Sequence, residues 1–98
     1  MTIDPVDINK FPMVRVTWVD AKDGVSGWEE IEEIINYDLA TVVDVGWMVS
    51  KDARKIVIMG SFCTSDEDPQ EGGRYTAIPT SWVTKVEYLK VDKVKVIE

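Results

Sequence analysis

Apolar and polar side chains alternate from residue 13 to residue 19, MVRVTWV, placing Val14, Val16 and Trp18 on one side and Arg15 and Thr17 on the other. A period of two with one apolar side predicts a half-buried β-strand. Residues 40–50, ATVVDVGWMVS, and 55–63, KIVIMGSFC, are longer apolar runs that predict two more strands, joined by the polar hairpin turn Lys51-Asp52-Ala53-Arg54. Gly46 and Gly60 interrupt these runs, and a glycine inside a strand predicts a bulge or a sharp bend. A fourth strand is predicted over Tyr75–Ile78, within the edge segment RYTAI. Pro79 ends it or holds it at an edge, because proline has no N–H to give a ladder. Thr80, Ser81 and Trp82 then predict one 3₁₀ turn, capped by the Thr80 and Ser81 hydroxyls, and a fifth strand runs from about Val83 to Leu89.

Between the first two strands the period changes. Asp20 to Gly27 contains two glycines and predicts a turn. Ser26 and Glu29 have the S-x-x-E spacing of a capping box. Trp28, Ile31, Ile34 and Ile35 follow at helical spacing with glutamates opposite, which predicts a short amphipathic helix over residues 27–36. Its apolar stripe is expected to cover one open end or side of the sheet. Residues 65–74, SDEDPQEGGR, are too polar and too rich in Gly and Pro for a core, and predict a long loop. Residues 1–12, with Pro5 and Pro12, predict an extended arm. Residues 90–98 still alternate and predict either an extension of the last strand or a second arm.

Five short antiparallel strands with bending glycines and one short helix predict a mainly β fold, a five-stranded bent antiparallel SH3-like barrel, as a single domain over residues 1–98. A doubly wound α/β fold is not expected, because there is only one helical segment. Trp18, Trp28 and Trp47 sit in periodic segments and are expected in the core or closing the barrel. The 98 residues contain no apolar run long enough to span a membrane and begin with no basic-then-apolar signal pattern, so no membrane partner is expected. The one cysteine, Cys63, cannot form an internal disulfide; it reads as core filler in a strand, and a reducing cytoplasm is the expected location.

Charge narrows the function. The net charge is −7. Glu29, Glu30, Glu32, Glu33 and Asp38 form one acidic segment and Asp66, Glu67, Asp68 and Glu71 another, which leaves a small positive balance on the rest of the chain. A uniform polyanion-binding surface is excluded, whereas one basic face is not. The acidic loop lacks the alternating spacing of a Ca²⁺ loop and reads as solvated, and Gly72-Gly73 has no strand–helix context for phosphate. There is no histidine, so the usual Ser and Cys triads have no base, and neither an enzyme nor a cofactor is expected.

Two binding features remain. Lys51, Arg54 and Lys55 crowd the hairpin turn, where they can meet phosphates or simply be solvated. Trp82 reads either as a stacking platform for a base or as the anchor of the 3₁₀ turn or of an interface. The fourth and fifth strands are expected to be the sheet edges, and neither carries the dense charge that blunts an edge. Arg74, Tyr75, Thr76 and Ile78 on one, and Val83, Lys85, Val86 and Tyr88 on the other, are therefore candidate oligomer-interface residues. A fifth strand of one subunit pairing with the fourth of the next is a heterologous contact, and such a contact closes into a ring.

The pattern VRVTWVDA…GW…VVDVGWMVSKD…IVIMGS…IPTSWVTKVEYL, from Val14 to Leu89, resembles a group of short proteins of marine metagenome and cyanophage origin. That group is similar to the Sm-like (LSm) proteins. The resemblance implies an Sm-like barrel, a homo-oligomeric ring of roughly five to seven subunits, and binding of RNA or single-stranded DNA. The two turns that hold RNA in that family correspond to Lys51–Lys55 and Pro79–Trp82, so the implied nucleic-acid residues are Lys51, Arg54, Lys55, Thr80, Ser81 and Trp82. The family's helix precedes its first strand, whereas here the predicted helix follows it. Pro79-Thr80 stands where the family has Arg-Gly. The alternative is a protein–protein interaction module of phage origin without a nucleic-acid role.

Overall fold

The computed structural model describes residues 11–25, 27–63, 71–91 and 97. Five strands, β1 (Met13–Asp20), β2 (Ala40–Lys51), β3 (Lys55–Phe62), β4 (Gly72–Pro79) and β5 (Val83–Tyr88), form one antiparallel sheet in the order β4-β3-β2-β1-β5. A single helical turn, α1 (Ile31–Ile35), lies between β1 and β2, and a 3₁₀ turn (Thr80–Trp82) joins β4 to β5. The mainly β class and all five predicted strands are present. β4 starts earlier than predicted: Gly72 and Gly73 pair with Phe62 and Ser61, because a ladder uses backbone groups and needs no side chain. No helix among the described residues is long and apolar enough to cross a membrane.

The alternation in β1 points where predicted. Val14 and Val16 are fully buried, and with Met48, Ile56, Ile58 and Ile78 they form the core, against which Trp18, Val83 and Val86 pack. Ile56 pairs with Ile78, Met48 with Ile58, and Val16 with Val86, so four strands and one edge meet on one face. Cys63 lies just past β3, half-buried, outside this core. Trp47 is half-buried elsewhere, edge-on to Phe62 at 5.1 Å, and Phe62 stacks on Phe11 at 5.9 Å.

β2 is shared between the two halves of the sheet. It pairs with β1 over Ala40–Trp47 and with β3 over Trp47–Lys51, so only Trp47 has a ladder partner on both sides. Two features allow the change. A Cβ on Gly46 would lie 2.7 Å from the Met59 carbonyl oxygen, so the close passage of β3 requires glycine there. The bulge expected at Gly46 occurs three residues later, where the register shifts at Val49. In β4, Arg74 takes φ 51° and donates from Nε to Ser61 Oγ and from Nη2 to the Gly60 carbonyl, which holds this uncommon backbone in place.

Pairing does not close the sheet, because β4 and β5 are its two edges. The 3₁₀ turn bridges the gap by packing on both β1 and β3. Trp82 stacks on Trp18 with ring centroids 6.3 Å apart, and the Trp18 Nε1–H donates to Asp44 Oδ2 at 2.8 Å. The predicted arms are described only at their inner ends. The Pro12 carbonyl accepts from Met48 N–H, and Leu89 N–H donates to the Met13 carbonyl. Residues 1–10 and most of 90–98 lie outside the described residues, as do residues 65–70 of the predicted 65–74 loop.

The helix prediction needs correction. Only Ile31–Ile35 is helical; its N-cap is Glu30 with no side-chain cap, and Ser26 of the expected capping box lies outside the described residues. Every described residue from 21 to 39 is exposed, including Trp28, Ile31, Ile34 and Ile35. The apolar stripe therefore covers nothing in the single chain, and Trp28 is not core. One turn of helix is too short to hold itself together, and the curled sheet already buries its apolar face internally. The connection is organised locally instead: Tyr37 Oη–H donates to the Asp23 carbonyl at 2.7 Å, and Lys22 Nζ sits 4.8 Å from the Tyr37 ring centroid. Ile31→Ala is accordingly expected to change the unfolding free energy of the isolated chain by less than about 0.5 kcal/mol, the surface range. A loss of about 2–5 kcal/mol in urea denaturation would mark Ile31 as core after all.

Candidate nucleic-acid interface

The turn between β2 and β3 is built around Asp52. Its Oδ1 accepts from the backbone N–H groups of Arg54 and Lys55, both at 2.8 Å, and its own N–H donates to the Lys55 carbonyl. These two N–H donors, more than the neighbouring cations, hold the Asp52 carboxyl below its ordinary value. An aspartate that bonds its own backbone two and three residues on is a turn-former. Its charge is spent inside the turn, while Lys51, Arg54 and Lys55 project into solvent, with no ion pair among the described residues.

Thr80 joins this turn to the 3₁₀ turn. Its N–H donates to the Arg54 carbonyl at 3.0 Å and its hydroxyl to the Asp52 carbonyl at 2.9 Å. The expected capping of the 3₁₀ turn by the Thr80 hydroxyl does not occur: that turn has no side-chain cap, and the hydroxyl is committed across the chain. The six residues Lys51, Arg54, Lys55, Thr80, Ser81 and Trp82 thus meet at one end of the sheet. Trp82 rests on Trp18 yet stays 42% exposed, and Ser81 is exposed beside it. Three cations without an ion pair among the described residues, at the same end of the sheet as a supported, accessible indole, can take phosphates and a stacked base. Asp52 was missed as the organiser of this end, although an aspartate two residues before Arg54 in a polar turn is a legible signal.

The eight candidate interface residues divide by the face they occupy. Tyr75 and Tyr88 are exposed, as are Arg74 and Lys85, and Thr76 is half-buried. Ile78 is fully buried, and Val83 and Val86 pack on the core from the inner face. Ile78 is thus corrected from an interface side chain to a core one, since alternation along β4 turns it inward opposite Ile56. What the edges expose is backbone, two tyrosines and two cations.

On the outer face Arg15 makes a two-pronged contact with Glu87, 2.8 and 2.7 Å, and Lys85 lies 3.5 Å from the same carboxylate. Hydrogen bonding to Arg15, outweighing desolvation, lowers the Glu87 pKa to about 2. A depressed carboxylate pKa stabilises the fold above the ordinary value of 4.5 and loses that contribution as pH falls toward 2. The pair is solvent-facing, so the effect on stability is small. Arg15→Ala is expected to return the Glu87 titration to the ordinary carboxylate range, read by NMR of the side-chain carboxyl; an unmoved titration would show the contact is not populated. No protein-family model matches this chain, and no curated protein and no solved structure matches it.

Proposed function

We propose that this chain is a non-enzymatic Sm-like barrel protein that assembles through its β4 and β5 edges into a homo-oligomeric ring and binds single-stranded RNA or DNA. The nucleic acid binds at the end formed by Lys51, Arg54, Lys55 and Trp82. The observation that carries this reading is the pair of hydrogen bonds from Thr80, which tie the cationic turn to the 3₁₀ turn that carries the accessible indole. Three further features support it. The sheet curls and leaves two unpaired edges at the ends of its strand order. Exposed tyrosines stand on both edges. Six buried apolar side chains are a thin core, and small chains commonly make up that deficit by oligomerising. On this reading the protein is phage-encoded and works in the cytoplasm of the host cell.

Light scattering coupled to size exclusion is expected to give a mass several times 11.1 kDa. Fluorescence anisotropy with single-stranded RNA and DNA is expected to show binding that weakens steeply with salt. The uncovered stripe of residues 28–35 favours a second reading, a protein–protein interaction module. A clean monomer that binds neither nucleic acid would put that reading first.

A further inference from the structure

The described residues from 21 to 39 leave the sheet as an exposed connection, and none of them belongs to the sheet's core. Within it an open groove of about 510 Å³ is lined by Val25, Ile34 and Tyr37 together with Glu29 and Glu33. Neither carboxylate has an ion-pair partner among the described residues. An opposite arrangement lies at the 3₁₀-turn end of the sheet, where exposed Trp82 and the cations Lys51, Arg54 and Lys55, without an ion pair among the described residues, are found. A largely apolar groove that includes two carboxylates and an end of the sheet that carries an exposed indole and three cations are complementary in both polarity and charge.

We infer that the groove of one copy docks the Lys51–Lys55 and Trp82 end of a second copy, so that the acidic connection competes with nucleic acid for that end. The occupant is a second copy because, within one chain, the connection is fully exposed and does not rest on its own cationic end. Outside its two acidic segments the chain carries a slight positive balance, so copies that repel as wholes attract through these parts. The inference rests on the reading above that this end binds polyanions, and it adds what occupies the end when no polyanion is present.

The test mixes full-length protein at natural isotope abundance with ¹⁵N-labelled protein and applies a zero-length carbodiimide, which joins carboxylates to lysines in direct contact. Mixed-isotope peptides joining Glu29 or Glu33 to Lys51 or Lys55 are expected. They are expected to fade in high salt and on addition of a single-stranded oligonucleotide. Neutralising the groove with E29Q and E33Q is expected to tighten oligonucleotide binding about tenfold at low salt, since the competitor is removed. Links that are all light or all heavy, or that join the acidic connection to other lysines, would overturn the inference. Mixed links without oligonucleotide binding to either protein would leave the docking standing and remove the nucleic-acid reading. Equal oligonucleotide binding by both proteins with no mixed links would do the reverse.

Discussion

Ile78→Ala is expected to lower the unfolding free energy by about 2–5 kcal/mol, the range for emptying a core aliphatic site. Ile78 is fully buried, pairs with Ile56, and is the last inward position of β4 before Pro79. The core has six members, so a single cavity removes a large share of it. Stabilities of small domains lie near 5–15 kcal/mol, about the range that one such loss consumes at its lower end. The substitution also reaches the candidate site. β4 delivers Thr80 to the Asp52 and Arg54 carbonyls, and a loosened β4 end frees the 3₁₀ turn from the cationic turn. Urea denaturation followed by tryptophan fluorescence measures the first effect. Tyr75→Ala, on the exposed side of the same strand, is the control and is expected to stay within about 0.5 kcal/mol of the parent. Equal losses at both positions would mean that β4 is held by its edge pairing and not by Ile78.

Replacing Lys51, Arg54 and Lys55 together with alanine is expected to flatten the salt dependence of single-strand binding. Each phosphate contact contributes about 0.7 to the slope of log affinity against log salt, so three contribute about 2. The parent then loses about twentyfold in affinity from these contacts on going from about 50 to 200 mM salt, and the variant loses none of that share. Fold and assembly are expected to be unchanged, because all three side chains are exposed and the turn is held by Asp52 and Thr80. Trp82→Ala is the complementary variant. It is expected to weaken binding by about 1–3 kcal/mol, the worth of one stacked base, without changing the slope. An unchanged slope in the triple variant would move the binding site away from this end.

Much of the fold was legible because the signals are local. A two-residue period places Val14 and Val16 on one face whatever their partners are, and polar residues between apolar runs mark the 51–54 turn. The glycine in β2 predicted a bulge that lies three residues further on. What requires a glycine there did not follow from the sequence, because the Met59 carbonyl that forbids a side chain at Gly46 is thirteen residues away. The helix over residues 27–36 was overestimated for the opposite reason. Trp28, Ile31, Ile34 and Ile35 carry a helical period, but period states only which side chains share a face and not whether any surface lies beneath them.

The sequence by itself determined the five strands and the polar turn with its three cations, since these depend on neighbours within a few residues. The tertiary structure alone decided the rest. It turned Ile78 into the core, gave the Thr80 hydroxyl to a carbonyl 28 residues away, propped Trp82 on Trp18, and left the acidic connection without a surface to cover. Each of these depends on which distant segment the curled sheet brings alongside, and that is settled by burial of one small core shared by all five strands.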